Sequence, residues 1–220
     1  SIGMLVQLFI SGMNSALTPW MYSKIKKGDI RSMRKVLQLL SIVVVGIAVA
    51  LMLISPELVL IFGSPKYREA VYVIPPVAAS VFFIFIYNIL SMPQFYYEKT
   101  QFLMAASMAA AGANVVLNFI FIRLFGYIAA GYTTLACYML YSVGHYIVSK
   151  QILVNEGIQE NLMNPGFLLA CSVFLIGASI ICNLIFPYRI LRYAILLASA
   201  GLVFWKKELL LKTMADIRKK

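Results

Sequence analysis

Apolar residues along this chain fall into seven long blocks separated by short polar connections. Their limits are Ile2–Tyr22, Val36–Ile54, Ala70–Met92, Phe102–Ile122, Tyr127–Val148, Phe167–Phe186 and Tyr188–Trp205. Each is near the roughly 20 residues that a helix needs to cross a bilayer. The fourth and fifth meet through a tiny connection, Arg123 to Tyr127. A soluble domain has no use for two adjacent apolar segments of that length, whereas a membrane does. The pattern predicts an all-α fold, a polytopic transmembrane helical bundle of about seven spans. The last block is the weakest, because Arg189 and Arg192 leave a clean run only from Tyr193 to Trp205. It crosses only if those arginines snorkel outward and Tyr188 and Tyr193 sit in the interface.

Breaks within the blocks refine the picture. Pro19, Pro75, Pro76 and Pro93 each remove a backbone hydrogen bond, and Pro75-Pro76 reads as a kink or a hinge in the third span. Ala105, Ala109 and Ala113 repeat every four residues, as do Ala106 and Ala110, a spacing that lets helix backbones pack closely. Residues 149–166 form the only polar linker of length, in which Ile152, Leu153, Ile158 and Leu162 fit an interfacial helix. The organisation expected is a five-span bundle over 1–150, a polar cytoplasmic linker over 151–165, two additional spans over 166–205 and a basic cytoplasmic tail over 206–220.

Composition agrees with a membrane protein: 62% hydrophobic and 12% charged, against about 45–50% and about 25% for soluble domains. The net charge of +11 is clustered in Lys24–Lys35 and Lys206–Lys220. Each cluster adjoins an apolar span, which favours contact with anionic lipid over nucleic acid. Assigned to alternate connections, 14 of the 19 basic residues fall on one side. That side is cytoplasmic by the positive-inside rule, so Ser1 is expected outside and Lys220 inside. No charged n-region or small-residue cleavage site precedes the first span, so no signal peptide is expected. An outside N-terminus without one is most simply explained by an odd number of spans preceding Ser1, so a missing N-terminal half of the same chain is an expected partner.

No catalytic constellation is visible, and neither a metal site nor a cofactor is expected. Cys137, Cys171 and Cys182 lie inside apolar blocks and read as small hydrophobes. His145, the one histidine, lies near the cytoplasmic end of the fifth span, where it reaches the interface or relays protons. No acid lies deep in any span; Glu57, Glu69 and Glu98 sit near span ends. The deep polar groups are neutral: Gln7, Asn14, Asn88, Asn114, Asn118, Thr133 and Thr134. Each needs a partner or water in hydrocarbon. Interhelical hydrogen bonds satisfy that need, and so does a cavity holding a hydroxyl-rich ligand such as a sugar. The substrate path is expected at Asn114, Asn118 and Arg123, with Lys24 and Lys99 at the cytoplasmic mouth.

Several stretches, in order, carry a resemblance. They are Leu17-Thr-Pro-Trp-Met-Tyr-Ser-Lys before a basic loop, and Phe62-Gly-Ser-Pro-Lys-Tyr-Arg-Glu-Ala followed by Ile74-Pro-Pro. Gln94-Phe-Tyr-Tyr-Glu-Lys-Thr and the run 114–134 complete the set. Over about residues 1–150 the chain resembles the C-terminal half of bacterial polysaccharide and O-antigen flippases of the multidrug/oligosaccharidyl-lipid/polysaccharide (MOP) exporter superfamily. The resemblance implies two helical bundles around a central cavity, alternating access, and export of a lipid-linked oligosaccharide across the bacterial cytoplasmic membrane. In many such flippases cavity cations meet the anionic substrate; this chain offers few deep cations.

Three other readings compete. A drug/cation antiporter of the same superfamily predicts deep carboxylates in the missing half. A seven-span receptor shares the topology, but the seventh span has no buried lysine for a retinal Schiff base and no Asp-Arg-Tyr follows the third. A membrane-embedded enzyme has no His/Asp/Glu cluster to support it.

Overall fold

The computed structural model describes residues 2–63 and 65–205, with side chains for 10–63, 68–199 and 201. The basic tail at 206–220 and the Gln7 side chain lie outside the described residues. The fold is helical, with no strand among the described residues. Helices α1 (Ile2–Lys26) and α2 (Ile30–Leu53) are followed by short α3 (Ser55–Phe62) and a 3-10 helix (Pro65–Tyr72). Then come α4 (Ile74–Tyr96), α5 (Gln101–Phe125), α6 (Ala129–Asn155), α7 (Pro165–Ile185) and α8 (Arg189–Trp205). Every apolar block is largely helical; α3 and the start of the 3-10 helix lie in what sequence read as a connection, and the end of the 3-10 helix, 70–72, opens the third block. Among the described residues four segments are long and apolar enough to cross a membrane: Ile30–Leu53, Arg68–Tyr96, Gln101–Phe125 and Pro165–Ile185.

Local signals set the ends. Asp29 caps α2 by accepting from the Ser32 N–H at 3.3 Å, and Asn164 caps α7 by accepting from Gly166 N–H at 2.8 Å. Between α5 and α6 the chain reverses at Gly126, whose φ of 76° suits a residue without a Cβ. Pro75 and Pro76 do not kink a span as expected. They occupy the first turn of α4, where the missing N–H groups have no intrahelical partner to lose.

Helix α4 is the centre. Phe82, Phe85, Ile86 and Ile89 are fully enclosed, and α6, α2, α7 and α1 pack around it. Thr18 lies 3.6 Å from Met92, and the Tyr22 and Tyr96 rings are 5.3 Å apart, so α1 and α4 run side by side in one direction. Helix α5 packs on α6 and buries none of its residues. The Ala105, Ala109 and Ala113 row is therefore exposed rather than packed against a described helix, while Ala106 and Ala110 are half-buried. The linker also departs from expectation. Helix α6 continues to Asn155, and Ile152, Leu153 and Leu162 enter the core rather than forming an interfacial helix.

Candidate functional site

Helices α1 and α4 touch near their C-terminal ends and leave a cavity of about 1040 Å³ toward their other ends. Its apolar border includes Leu51 of α2 and Leu58 of α3. Its polar lining is supplied helix by helix. From α1 come Ser11, Asn14, Ser15 and Thr18, one face of a helix at three- and four-residue spacing. From α4 come Ser80, Tyr87 and Asn88, and from α6 Thr134 and Tyr138. No charged side chain lines the cavity among the described residues.

The neutral polar groups singled out in the sequence divide into two sets. Asn14, Asn88 and Thr134 face this cavity. Asn114 and Asn118 do not. Asn118 Nδ2 donates to Asn114 Oδ1 at 2.9 Å, and Thr133 donates to Asn118 Oδ1 at 2.6 Å, a polar seam between α5 and α6. Arg123 lies over the Phe119 ring at 3.9 Å, at the exposed end of α5. Lys24 pairs with Asp29 at 2.6 Å and Lys99 with Glu156 at 3.0 Å, both at the opposite end of the bundle. The Lys24 hydrogen bond holds the Asp29 carboxyl below its usual range. The five residues expected along the substrate path are thus not gathered at one place.

Beyond the cavity, deeper along α4 and α6, lies a buried pair. His145 is fully enclosed, and Gln94 Nε2 donates to its Nδ1 at 2.7 Å. It does not reach an interface, because Tyr87, Phe102 and Tyr141 pack around the ring. Tyr87 and Tyr138, which border the cavity, stack 6.2 Å apart, so aromatic rings connect the cavity to His145. Gln94 gives no sequence signal as a partner, since 51 residues separate it from the histidine.

At the end of the bundle bearing α3, Arg192 is 3% exposed and holds Glu57 through two hydrogen bonds. It also donates to the Leu53 carbonyl at 2.6 Å, and Tyr193 donates to Glu57 at 3.0 Å. Arg192 therefore does not snorkel outward, and Tyr193 hydrogen-bonds the carboxylate of the ion pair. The Arg192 guanidinium, aided by Tyr193, keeps the Glu57 carboxyl below the usual carboxylate range against the opposing effect of burial. Leu58, the next residue, borders the cavity, so this pair anchors part of its wall.

No curated protein and no solved structure matches the chain. The MatE family model matches residues 1–120, which hold every cavity-lining residue except those of α6. With more than half of its 220 residues matched, the chain belongs to the MatE family, whose domain makes it a membrane transporter of the MOP superfamily.

Proposed function

We propose that the protein moves a lipid-linked oligosaccharide, a polysaccharide precursor, across the bacterial cytoplasmic membrane by alternating access. The headgroup sugars occupy the cavity between α1, α4 and α6 while the lipid tail stays in the bilayer. The observation that carries this reading is the cavity lining, which is polar on three helices yet uncharged among the described residues. Sugars exchange hydrogen bonds with hydroxyls and amides, and need no fixed charge to replace their hydration. Antiport of cationic drugs is less well supported, because among the described residues no carboxylate lines the cavity to offset a cation's desolvation.

In this reading α1, α2 and α4–α8 all cross the membrane, α8 with the Arg192 charge paired to Glu57 at its α3 end in place of snorkelling. The Ser1 end and α3 lie outside, and the end of α8 is cytoplasmic, as the distribution of basic residues favours. The cavity then opens toward the outer face, and a second helical bundle completes the path. Lys24 and Lys99 stand at the cytoplasmic end, where they attract the substrate's anionic part. Arg123 marks the outer end of α5, with Asn114 and Asn118 along the same helix.

The test is reconstitution of the chain together with the second helical bundle that completes the path, in liposomes that carry a fluorescent lipid-linked oligosaccharide in both leaflets. Added dithionite, which cannot cross the bilayer, bleaches only the outer half in empty liposomes. Bleaching of nearly all the probe is expected with protein present. Bleaching that stops at half would refute the reading.

A further inference from the structure

Helix α3 joins two spans, Ile30–Leu53 and Arg68–Tyr96, and begins two residues after the first of them ends. It therefore lies where those spans leave the hydrocarbon. Three ties hold this connection against the ends of other helices. Arg192, at the start of α8, grips Glu57. Tyr127, in the turn between α5 and α6, donates to Glu69 at 3.0 Å. The Tyr72 ring lies 5.7 Å from that of Phe186 at the end of α7. Tyrosines at span ends are the residues that settle at headgroup level.

The base of α3 is thus secured, but its tip is bare. Leu60, Ile61 and Phe62 are 66%, 72% and 70% exposed. Consecutive residues project about 100° apart around a helix, so these three cover about 200° of its circumference. Val59 completes a turn that is apolar on every side. A helix that is apolar all round is buried in something, and the described residues leave more than half of this turn uncovered. We infer that the tip of α3 docks into the leaflet at this face of the membrane, with Leu60, Ile61 and Phe62 immersed among lipid chains just below the headgroups. A fluid leaflet surrounds such a tip, whereas one face of a partner protein reaches only part of its circumference. Leu58 and Ala70, which flank the tip in sequence, border the cavity, so lipid contact begins at the cavity rim. The inference needs only that the spans cross a membrane; it depends neither on the glycan nor on which face is outer.

The experiment reads the surroundings of nitroxide labels on the chain in phosphatidylcholine–phosphatidylglycerol vesicles. With Cys137, Cys171 and Cys182 replaced by alanine, single labels are placed at Leu60→Cys, Ile61→Cys and Phe62→Cys. Val173→Cys, exposed in the middle of α7, is the lipid reference, and Gln159→Cys, exposed between α6 and α7, is the water reference. Power saturation compares collisions with oxygen, which concentrates in lipid, and with a nickel chelate, which stays in water. Oxygen is expected to outweigh nickel at all three tip positions, as at 173 and opposite to 159. Nickel dominance at any of the three places that side of the tip in water and overturns the inference. Protection from both reagents, the outcome for a tip covered by protein such as a second copy of the chain, overturns it as well. Thermal unfolding checks that the labelled chains fold. A second measurement uses the unsubstituted chain: a lipid-soluble carbene reagent is expected to modify residues 60–62. If they stay unmodified while α7 is modified, the tip does not reach lipid.

Discussion

The guanidinium of Arg192 grips the carboxylate of Glu57 with two bonds, at 2.7 and 2.8 Å, across 135 residues of chain. The pair ties α8 to α3 beside the cavity rim. Such bidentate geometry fixes orientation as well as distance. Arg192→Leu leaves the Glu57 carboxylate and the Leu53 carbonyl without this donor. The expected loss is about 2–3 kcal/mol, in the range for hydrogen bonds to charged groups. Thermal unfolding in detergent measures it, and a loss under about 0.5 kcal/mol would show the pair to be only a surface-type contact.

The same pair sets a pH dependence. Glu57 has a lowered pKa in the folded protein, so its contribution is complete above the unfolded carboxylate value of about 4.3. It is lost as pH falls through the folded value, while Arg192 stays charged. The stability gap between the parent and Glu57→Gln is expected to be constant from pH 8 to 6 and to close in acid. A gap that widened on acidification would contradict the ion pair.

Gln94 and His145 should behave as a unit. Gln94→Leu strands the buried His145 Nδ1 without its 2.7 Å donor, at a cost of about 1–3 kcal/mol. His145→Phe leaves Gln94 Nε2 with only its 3.4 Å bond to the Leu90 carbonyl. The double variant removes both partners and should cost less than the sum, with a coupling near 1 kcal/mol or more in a double-mutant cycle. Strict additivity would mean that the pair contributes nothing jointly.

Gly131 permits the closest approach of α6 to the start of α4. A Cβ there would lie 2.8 Å from Pro76 Cγ and 2.9 Å from the Val73 carbonyl oxygen. Neither is the end of a flexible side chain, so the helices must separate. Gly131→Ala is expected to destabilise by about 1–3 kcal/mol. Gly112→Ala on exposed α5, where a Cβ meets nothing within 4 Å, is the control and should be neutral or slightly stabilising.

Thr133 and Thr134 are neighbours with different work. Thr133 reaches across to Asn118, whereas Thr134 bonds only within its own helix. Thr133→Val should lower stability by roughly 0.6 kcal/mol, the average for interhelical hydrogen bonds in membranes. Thr134→Val should change unfolding less. The reverse order would show that α5 does not depend on the seam.

Much of this was legible along the chain, and the exceptions have specific causes. The helices were readable because runs of apolar residues near bilayer length leave the backbone no alternative to internal hydrogen bonding. Helices α1 and α6 fall outside the four most apolar segments. They carry Asn14, Thr18, Thr134 and His145, which face the cavity or its neighbourhood. Polar residues inside spans were therefore the usable signal, but only their presence could be read. Asn14, Asn88, Asn114 and Asn118 look alike in sequence, and helix rotation and tilt send two to the cavity and two to the α5–α6 seam. Arg192 was read as a snorkelling end residue because its partner lies so far away in the chain.

The sequence by itself determined the class: a helical membrane protein with basic clusters and neutral polar residues in its spans. Local chemistry suffices for that, since hydropathy, capping and charge act over a few residues. The tertiary structure alone decided which polar groups share a space, which ions pair, and that Pro75-Pro76 starts a helix rather than bending one. These outcomes depend on how helices pack around α4, and packing joins residues whose separation in sequence carries no trace of their contact.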